Sequence, residues 1–373
     1  MKLLEVHILQ TVAPSNLNRD DTGSPKDALF GGFRRARISS QAQKRAVRVA
    51  FKDWPLLSEE ERAVRTKRLV EELLRSRRLE GVEEGLARRA VENALNALKF
   101  GVKEGRTEYL FFLGNRELDA LAQQIRENLE ALSGEVKGKK KAEVPDELKK
   151  ALERVLDGGK AVDLALFGRM LADRPGLGVD AAAQVAHALS THKVDREFDF
   201  YTAVDDLNPK EATGAGMMGD VEFYSATLYR YAVVDLEKLL ENLQGDKELA
   251  LKGALAFLEA FALTLPSGKQ NSFAAHNPPL FVAFRAGEGM PRNLATAFER
   301  PIRPREDAPL SRLSAEALME EWARFDRVYG PLSPEWKGAL DLTEAQGDGL
   351  PRLEDLKALK EKVAEAVRAL LEV

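Results

Sequence analysis

The sequence predicts an α+β protein: a small domain in βαββαβ order, interrupted by a large helical insertion and carrying a projecting β-hairpin. Three observations predict it. Strand-like alternation is confined to four short segments, at 3–12, 197–204, 221–234 and 279–285. Residues from about 55 to 192 read almost entirely as helices. A glycine-rich run from Asp205 to Asp220 joins the second and third strands.

The first strand alternates, with Leu4, Val6, Ile8 and Val12 on one side and Glu5, His7 and Thr11 on the other, so it is predicted to be half-buried. His7 has no neighbouring partner in sequence and reads as a face-filling residue rather than a metal ligand. Ala13 to Pro25 is a loop that places Asn18, Arg19 and Lys26 just ahead of the most distinctive stretch of the chain. That stretch, Phe30 to Lys52, carries seven basic side chains and no acidic one. Ser39-Ser40 is predicted to cap a helix that begins near Gln41, because a serine oxygen accepts from the free N–H groups of a first turn. At about 100° per residue, Gln41, Lys44, Arg45, Arg48 and Lys52 fall on one narrow face, and Ala42, Ala46, Val47, Val49, Ala50 and Phe51 cover the rest. Cations beside a capped helix N-terminus and the Gly31-Gly32 turn suit a phosphate. A solvated surface helix with a charged face is the plainer reading, and the absence of acids for i,i+4 pairs argues against it.

The insertion is predicted as helices at Ser58–Arg78, Gly85–Lys99, Glu117–Leu132, Pro145–Leu156, Val162–Asp173 and Val179–Thr191. Within it, Gly134-Glu135-Val136-Lys137-Gly138-Lys139-Lys140-Lys141 reads as a flexible basic loop, suited to solubility or to contact with the phosphates of a duplex. Beyond the hairpin, whose tip holds Met217 and Met218, come a strongly apolar helix at Asp246–Leu265 and a polar loop at 266–272. A short strand at Leu280–Arg285 and a helical tail from Ser314 to Val373 follow. Without the insertion the order is the ferredoxin-like, or RRM-like, arrangement.

Composition excludes several classes. With 44% hydrophobic and 31% charged residues the chain is globular rather than disordered. No cysteine is present, which removes disulfides, thiolate metal sites and a cysteine nucleophile and fits a cytoplasmic protein. No signal-peptide pattern opens the chain, and no apolar run is long enough to span a bilayer. A net charge of −4 argues against an indiscriminate nucleic-acid coat but leaves a local basic groove open.

The motifs that resemble catalytic ones do not fit their contexts. Gly214-Ala215-Gly216-Met217-Met218-Gly219 leads into a strand rather than opening a helix, so it is not a dinucleotide site. Ser267-Gly268-Lys269-Gln270 lacks the first glycine and the final Ser or Thr of a phosphate loop. His187 and His192 are five apart and do not share a helix face. Asp20-Asp21 and Asp205-Asp206 are adjacent pairs in loops and read as turn formers, so neither a metal nor a cofactor is expected.

Asn18-Arg19-Asp20-Asp21, Lys26-Asp27-Ala28, Phe30-Gly31-Gly32, Arg34-Arg35, Arg37-Ile38-Ser39-Ser40-Gln41 and Lys44-Arg45 closely resemble the N-terminal signature of the CasC family. Leu166-Phe167-Gly168-Arg169-Met170, His187-Ala188-Leu189-Ser190-Thr191-His192, Ala203-Val204-Asp205-Asp206 and Tyr229-Arg230-Tyr231 extend the resemblance over nearly the whole chain. CasC proteins are the repeated backbone subunit of type I-E CRISPR Cascade complexes. The resemblance implies a hand-shaped protein: a palm at 1–54, 195–204 and 221–330, helical fingers at 55–194, a thumb at 205–220 and a C-terminal tail at 331–373. It implies a non-catalytic scaffold that winds head to tail along CRISPR RNA with other Cascade subunits and presents the guide to target DNA. Asn18, Arg19, Lys26, Arg34, Arg35, Ser39, Gln41, Lys44, Arg45 and Arg48 are thereby implied as RNA contacts. Met170 would face the bases from the fingers, Met217 would be a thumb-tip wedge, and Lys269, Gln270 and Asn271 would line the same groove. Lys137, Lys139, Lys140 and Lys141 would face the target duplex.

Two other readings stand beside this one. A ribonuclease of the same RNA-binding superfamily would use Asp20 or Asp21. A structural protein without a nucleic-acid ligand would set its basic helix against an acidic partner protein.

Overall fold

The computed structural model describes residues 1–134, 144–171, 175–203, 206–207, 217–347 and 349–373. The chain runs β1 (Lys2–Ser15), β2 (Asp27–Phe30), β3 (Phe33–Ile38), α1 (Ser40–Asp53), β4 (Ala63–Thr66), α2 (Leu69–Leu74), α3 (Glu84–Ala97), β5 (Val102–Lys103), β6 (Arg106–Thr107), β7 (Phe111–Gly114), α4 (Asn115–Glu127), α5 (Leu129–Leu132), α6 (Asp146–Arg154) and α7 (Val162–Phe167). It continues through β8 (Ala183–Val185), β9 (Ala188–Ser190), β10 (Glu197–Ala203), β11 (Met217–Asp235), α8 (Leu236–Asn242), α9 (Lys247–Leu263), α10 (Gln270–Phe273), β12 (Phe281–Glu288), α11 (Leu310–Tyr329), β13 (Glu335–Asp341) and α12 (Leu356–Leu371). Among the described residues no helix is long and apolar enough to cross a membrane.

The chain divides into two compact units, one of Met1–Ala50, Gln184–Leu236 and Ala254–Val373, the other of Phe51–Ala183 and Glu237–Gly253. The first is built on one sheet in the order β13-β12-β1-β11-β9-β3-β2. Its centre, β12-β1-β11-β9, sets the fourth, first, third and second of these strands side by side, and every neighbouring pair is antiparallel. That is the ferredoxin-like, RRM-like α+β arrangement. The second strand of the motif is β9, not the segment at 197–204. The latter is β10, which pairs with Met217–Phe223 of β11, while Tyr224–Asp235 pairs with β1.

β1 is buried on both faces rather than half-buried. Leu3 and Leu9 point into a cluster with Tyr229, Tyr231, Phe281 and Trp322, covered by α11. Glu5 and His7 sit on that same face, at 0% and 1% exposure, and survive there because each has a polar partner. Tyr231 donates to Glu5 at 2.6 Å, and His7 Nδ1 lies 2.9 Å from the Tyr229 hydroxyl. Burial lowers the His7 imidazole to about 3, so it stays neutral.

On the opposite face Arg230 is fully buried. Its guanidinium donates to Gln10 at 2.8 Å, to Gln43 at 3.2 Å and to the Phe261 carbonyl at 2.6 Å, and lies over the Phe261 ring. Gln43 in turn donates to the Ala186 carbonyl at 2.9 Å. α1 is therefore locked to the sheet by a satisfied polar network as well as by Val47.

Several helical expectations fail in an instructive way, and the helix expected at Val162–Asp173 stops at Phe167. Val179–Thr191 contains β8 and β9, because both find a partner in β11, and pairing overrides the helix propensity of an alanine-rich run. Ser58–Arg78 contains β4, paired with β7, and only the single turn-and-a-half of α2. The tail likewise contains β13, which extends the sheet beyond β12.

The second unit packs α2, α3, α4, α5 and α6 around Leu73, Val91, Leu95, Phe100, Phe111 and Ile125. At its centre Arg169 and Glu117 form a buried ion pair, in which Nη1 of Arg169 lies 2.9 Å from both Glu117 oxygens. Gly114 and Gly158 donate their backbone N–H groups to Glu117, each at 2.7 Å, and Arg169 also donates to the carbonyls of Phe112, Leu156 and Leu177. Every charged lobe of this pair has a partner, which is what makes its burial tolerable.

Candidate nucleic-acid interface

α1 begins at Ser40, and Ser39 is its cap: the Ser39 hydroxyl accepts from the Ala42 N–H at 3.3 Å. The first turn carries no acid, so the positive end of the helix is not answered from within. Gln41 and Arg45 are exposed, and neither side chain has a hydrogen-bond or ionic partner among the described residues. Lys44 and Arg48 are half-buried, and burial lowers the Lys44 ammonium below its usual value. Val49, expected among the packing residues, is 46% exposed and borders this ridge.

The loop before the helix is anchored to it. Asn18 Oδ1 accepts from the Ser39 N–H at 2.8 Å, and the Lys26 N–H donates to the Asn18 carbonyl at 2.9 Å. Asn16 ties the same loop to the Gly23 and Glu222 carbonyls. Arg19 is left exposed at its surface. The Lys269 loop joins the same surface, because the Gly268 backbone lies against the chain at Leu17. A Cβ at Gly268 would fall 2.3 Å from the Leu17 carbonyl oxygen, so only glycine fits. The Asn18–Ser39 and Gly268–Leu17 contacts thus bring the loop of Arg19 and Lys26, the start of α1 and the Lys269 loop beside one another in one unit, with Arg19, Gln41, Arg45 and Asn271 exposed.

Several residues expected to contact a ligand have other duties. Arg35 has 0% exposure, and its guanidinium donates to the carbonyls of Ser190, Phe298 and Glu299 at 2.9, 2.8 and 3.1 Å. It is a structural strut. Ser39 is 5% exposed and occupied as a cap, and the side-chain oxygen of Asn18 is occupied by Ser39. The Gln270 amide clasps both backbone groups of Ala275, at 2.7 and 3.2 Å. Arg34 is exposed but pairs with Asp27, which Arg196 also holds at 2.8 Å.

In the second unit, Met170 is 93% exposed, directly after the buried Arg169. Gly168 makes the sharp entry possible, with φ at +76° and a would-be Cβ 2.7 Å from the Val179 carbonyl. Lys137, Lys139, Lys140 and Lys141 lie outside the described residues, as do 204–205 and 208–216 of the hairpin. Met217 is the first residue of β11, opposite Ala203.

The hairpin carries a surface that sequence reasoning did not single out. Phe198 and Phe200 are 65% and 67% exposed on one face of β10, and Met218 across the ladder is 66% exposed. On the other face Tyr201 lies against Gly219. The alternation that marked the strand was visible, but β10 is exposed along its whole length, on both faces, which depends on packing.

Asp20 accepts from the Thr22 hydroxyl and from the N–H groups of Thr22 and Ser24, and the Thr22 hydroxyl holds its carboxyl below the usual range. Burial lowers His192, and burial with the nearby Arg37 and Lys26 charges lowers His187. Among the described residues no three His, Asp or Glu side chains converge as metal ligands.

The family model described as CT1975-like protein matches residues 4–366. Among solved structures, a chain of a CRISPR RNA-guided surveillance complex, pre-nicking, is 32% identical over 98% of this chain and 100% of its own, with a TM-score of 0.86. A chain of a second CRISPR RNA-guided surveillance complex is 28% identical over 98% and 99%, with a TM-score of 0.74. No curated protein sequence matches significantly.

Proposed function

The chain belongs to the CT1975-like protein family, and from that premise we propose that it is the repeated, non-catalytic backbone subunit of a type I-E Cascade complex, gripping CRISPR RNA. The observation that carries this reading is α1. Lys44, Arg45 and Arg48 line one side of a capped helix whose first turn has no acid, and the Arg19 and Lys269 loops flank it. Phosphates of a single strand would run along this face, with Gln41 and Asn271 as uncharged donors. Such contacts fix register without reading sequence, which leaves recognition to base pairing with target DNA.

The fingers would correspond to the second unit, offering Met170 to the bases. The thumb would be the β10–β11 hairpin, where the exposed Phe198, Phe200 and Met218 share one face with Asp220 and Glu222 and would meet unstacked bases of a strand held by the next copy. Head-to-tail copies would join unlike surfaces, so the array would be open and helical. Other Cascade subunits and the target DNA, met through the guide and the Lys137–Lys141 loop, complete the expected partners, and a cytoplasmic setting fits them. The alternative ribonuclease reading is weakened by Asp20, whose carboxylate is occupied by its own turn.

Co-purification tests the proposal. The full chain, isolated from cells expressing a CRISPR array, should carry discrete guide RNA in an oligomer, recovered by extraction and sequencing. An RNA-free monomer that also ignores added guide RNA and partner subunits at low salt would refute it. Cleavage of bound RNA that disappears in Asp20→Ala or Asp21→Ala would move the assignment to the ribonuclease.

A further inference from the structure

A second cationic surface lies in the same unit, away from α1. Phe33, His192, Lys193 and the segment Arg300-Pro301-Ile302-Arg303-Pro304 enclose a cleft of about 430 Å³. Its walls are flat and apolar: Phe33 is 44% exposed at the mouth, and two prolines stiffen the opposite side. Arg300 and Arg303 are exposed, and neither side chain has a partner among the described residues. No acid is among the lining residues, although Lys193 pairs with the nearby Asp195 at 3.1 Å. The His192 imidazole adds no charge, since its Nε2 accepts from the Thr227 N–H at 3.1 Å.

The cleft is rigidly built. The buried Arg35 holds the Phe298 and Glu299 carbonyls, one residue before Arg300. At Gly31 a Cβ would fall 1.9 Å from the Glu299 oxygen, so the β2–β3 turn packs directly on this segment. The Ile302 N–H donates to the Thr191 carbonyl at 2.9 Å. A fully buried guanidinium thus fixes the backbone from which two free guanidiniums project. An exposed ring, a pair of proline walls and unpaired arginines together match a base and its flanking phosphates.

We propose that this cleft is a second site for single-stranded nucleic acid, with a base against Phe33 and phosphates on Arg300 and Arg303. Phe33 and Ser39 are six positions apart along β3 and its exit, a span of about 20 Å at strand rise, so the cleft is distinct from the α1 ridge. The choice of a nucleic acid over another polyanion rests on the RNA-binding reading of the chain. The geometry itself does not.

The test uses the full chain and two probes, short oligo-uridine and short oligo-thymidine, titrated across a salt series. Arg300→Glu with Arg303→Glu should weaken binding by about fivefold or more and lower the salt slope by about one and a half units. Phe33→Ala should weaken binding by a similar factor and leave the slope unchanged. Both changes are on exposed groups, so the thermal midpoint should hold. A loss confined to oligo-uridine assigns the cleft to the guide, and a loss confined to oligo-thymidine assigns it to target DNA. If the double variant binds both probes with unaltered affinity and slope, the proposal is wrong. That includes the case where it instead loses self-association or an acidic protein partner. Lys44→Glu with Arg48→Glu separates the two readings. Binding that survives this change but is lost in the cleft variant would overturn the α1 assignment and keep this one.

Discussion

Two arginine-rich surfaces of this chain carry similar charge and answer it differently. Along α1 no acid stands among Lys44, Arg45, Arg48 and Lys52. In the second unit an open cleft of about 1370 Å³ is also lined by arginines, but three of the four meet a carboxylate: Arg75 with Glu72, Arg78 with Asp119 and Arg116 with Glu60. The pairing continues inward on the same helix, where Glu117 meets the buried Arg169. A count of cations would rank the two surfaces together. What separates them is that α1 holds no acid from Ser40 to Lys52, whereas the paired arginines of the cleft each meet a local carboxylate.

The comparison can be broken or sharpened by experiment. The largest effect belongs to the most completely paired cation. Arg169→Met leaves Glu117 buried without its partner, and should cost about 3–5 kcal/mol in denaturant unfolding. Adding Glu117→Gln should recover part of that loss. If the single variant is as stable as the unaltered chain, the pair is not the keystone of the second unit.

The next effect concerns titration in the first unit. His7 ordinarily titrates near 6.5 but is lowered to about 3 in the fold, so the unfolded chain binds the proton and the folded chain does not. Stability is therefore fully present above pH 6.5 and lost as pH falls toward 3, by about 3 kcal/mol at pH 4. Urea midpoints at pH 7 and pH 4 should show this fall, and it should be shallower in His7→Gln.

Reversing Lys44 and Arg48 should weaken guide RNA binding by about tenfold or more at moderate salt. The smallest effect is expected at the paired surface. Arg75→Glu with Arg78→Glu should change RNA affinity by less than about twofold and leave the unfolding midpoint little changed, since exposed pairs contribute little. A large loss of RNA binding there would dissolve the distinction between the two surfaces.

The parts legible in the sequence were those governed by local rules. The strand at β1, the apolar run of α9 and the Ser39 cap follow from short-range patterns, and the structure has them where those patterns point, although β1 is covered on both faces. What escaped depends on partners distant in sequence. Ala183–Ser190 looks helical until β11 offers it an edge. Glu5 and His7 look solvent-facing until α11 covers them. Arg34 and Arg35 are neighbours of one type, yet one is exposed beside Asp27 and the other is sealed under the Phe298 carbonyl. Strand alternation puts them on opposite faces, but only the segment at 298–304 decides which face is closed. The same segment created the Phe33 cleft, which no local motif announces.

The central claim is that α1 presents its cations to an RNA backbone. Its most direct test is the salt dependence of guide RNA binding by the full chain, compared with Lys44→Glu, Arg48→Glu. The claim predicts a steep slope in the unaltered chain and a loss of about one and a half units in the variant. Equal slopes in the two proteins would contradict it.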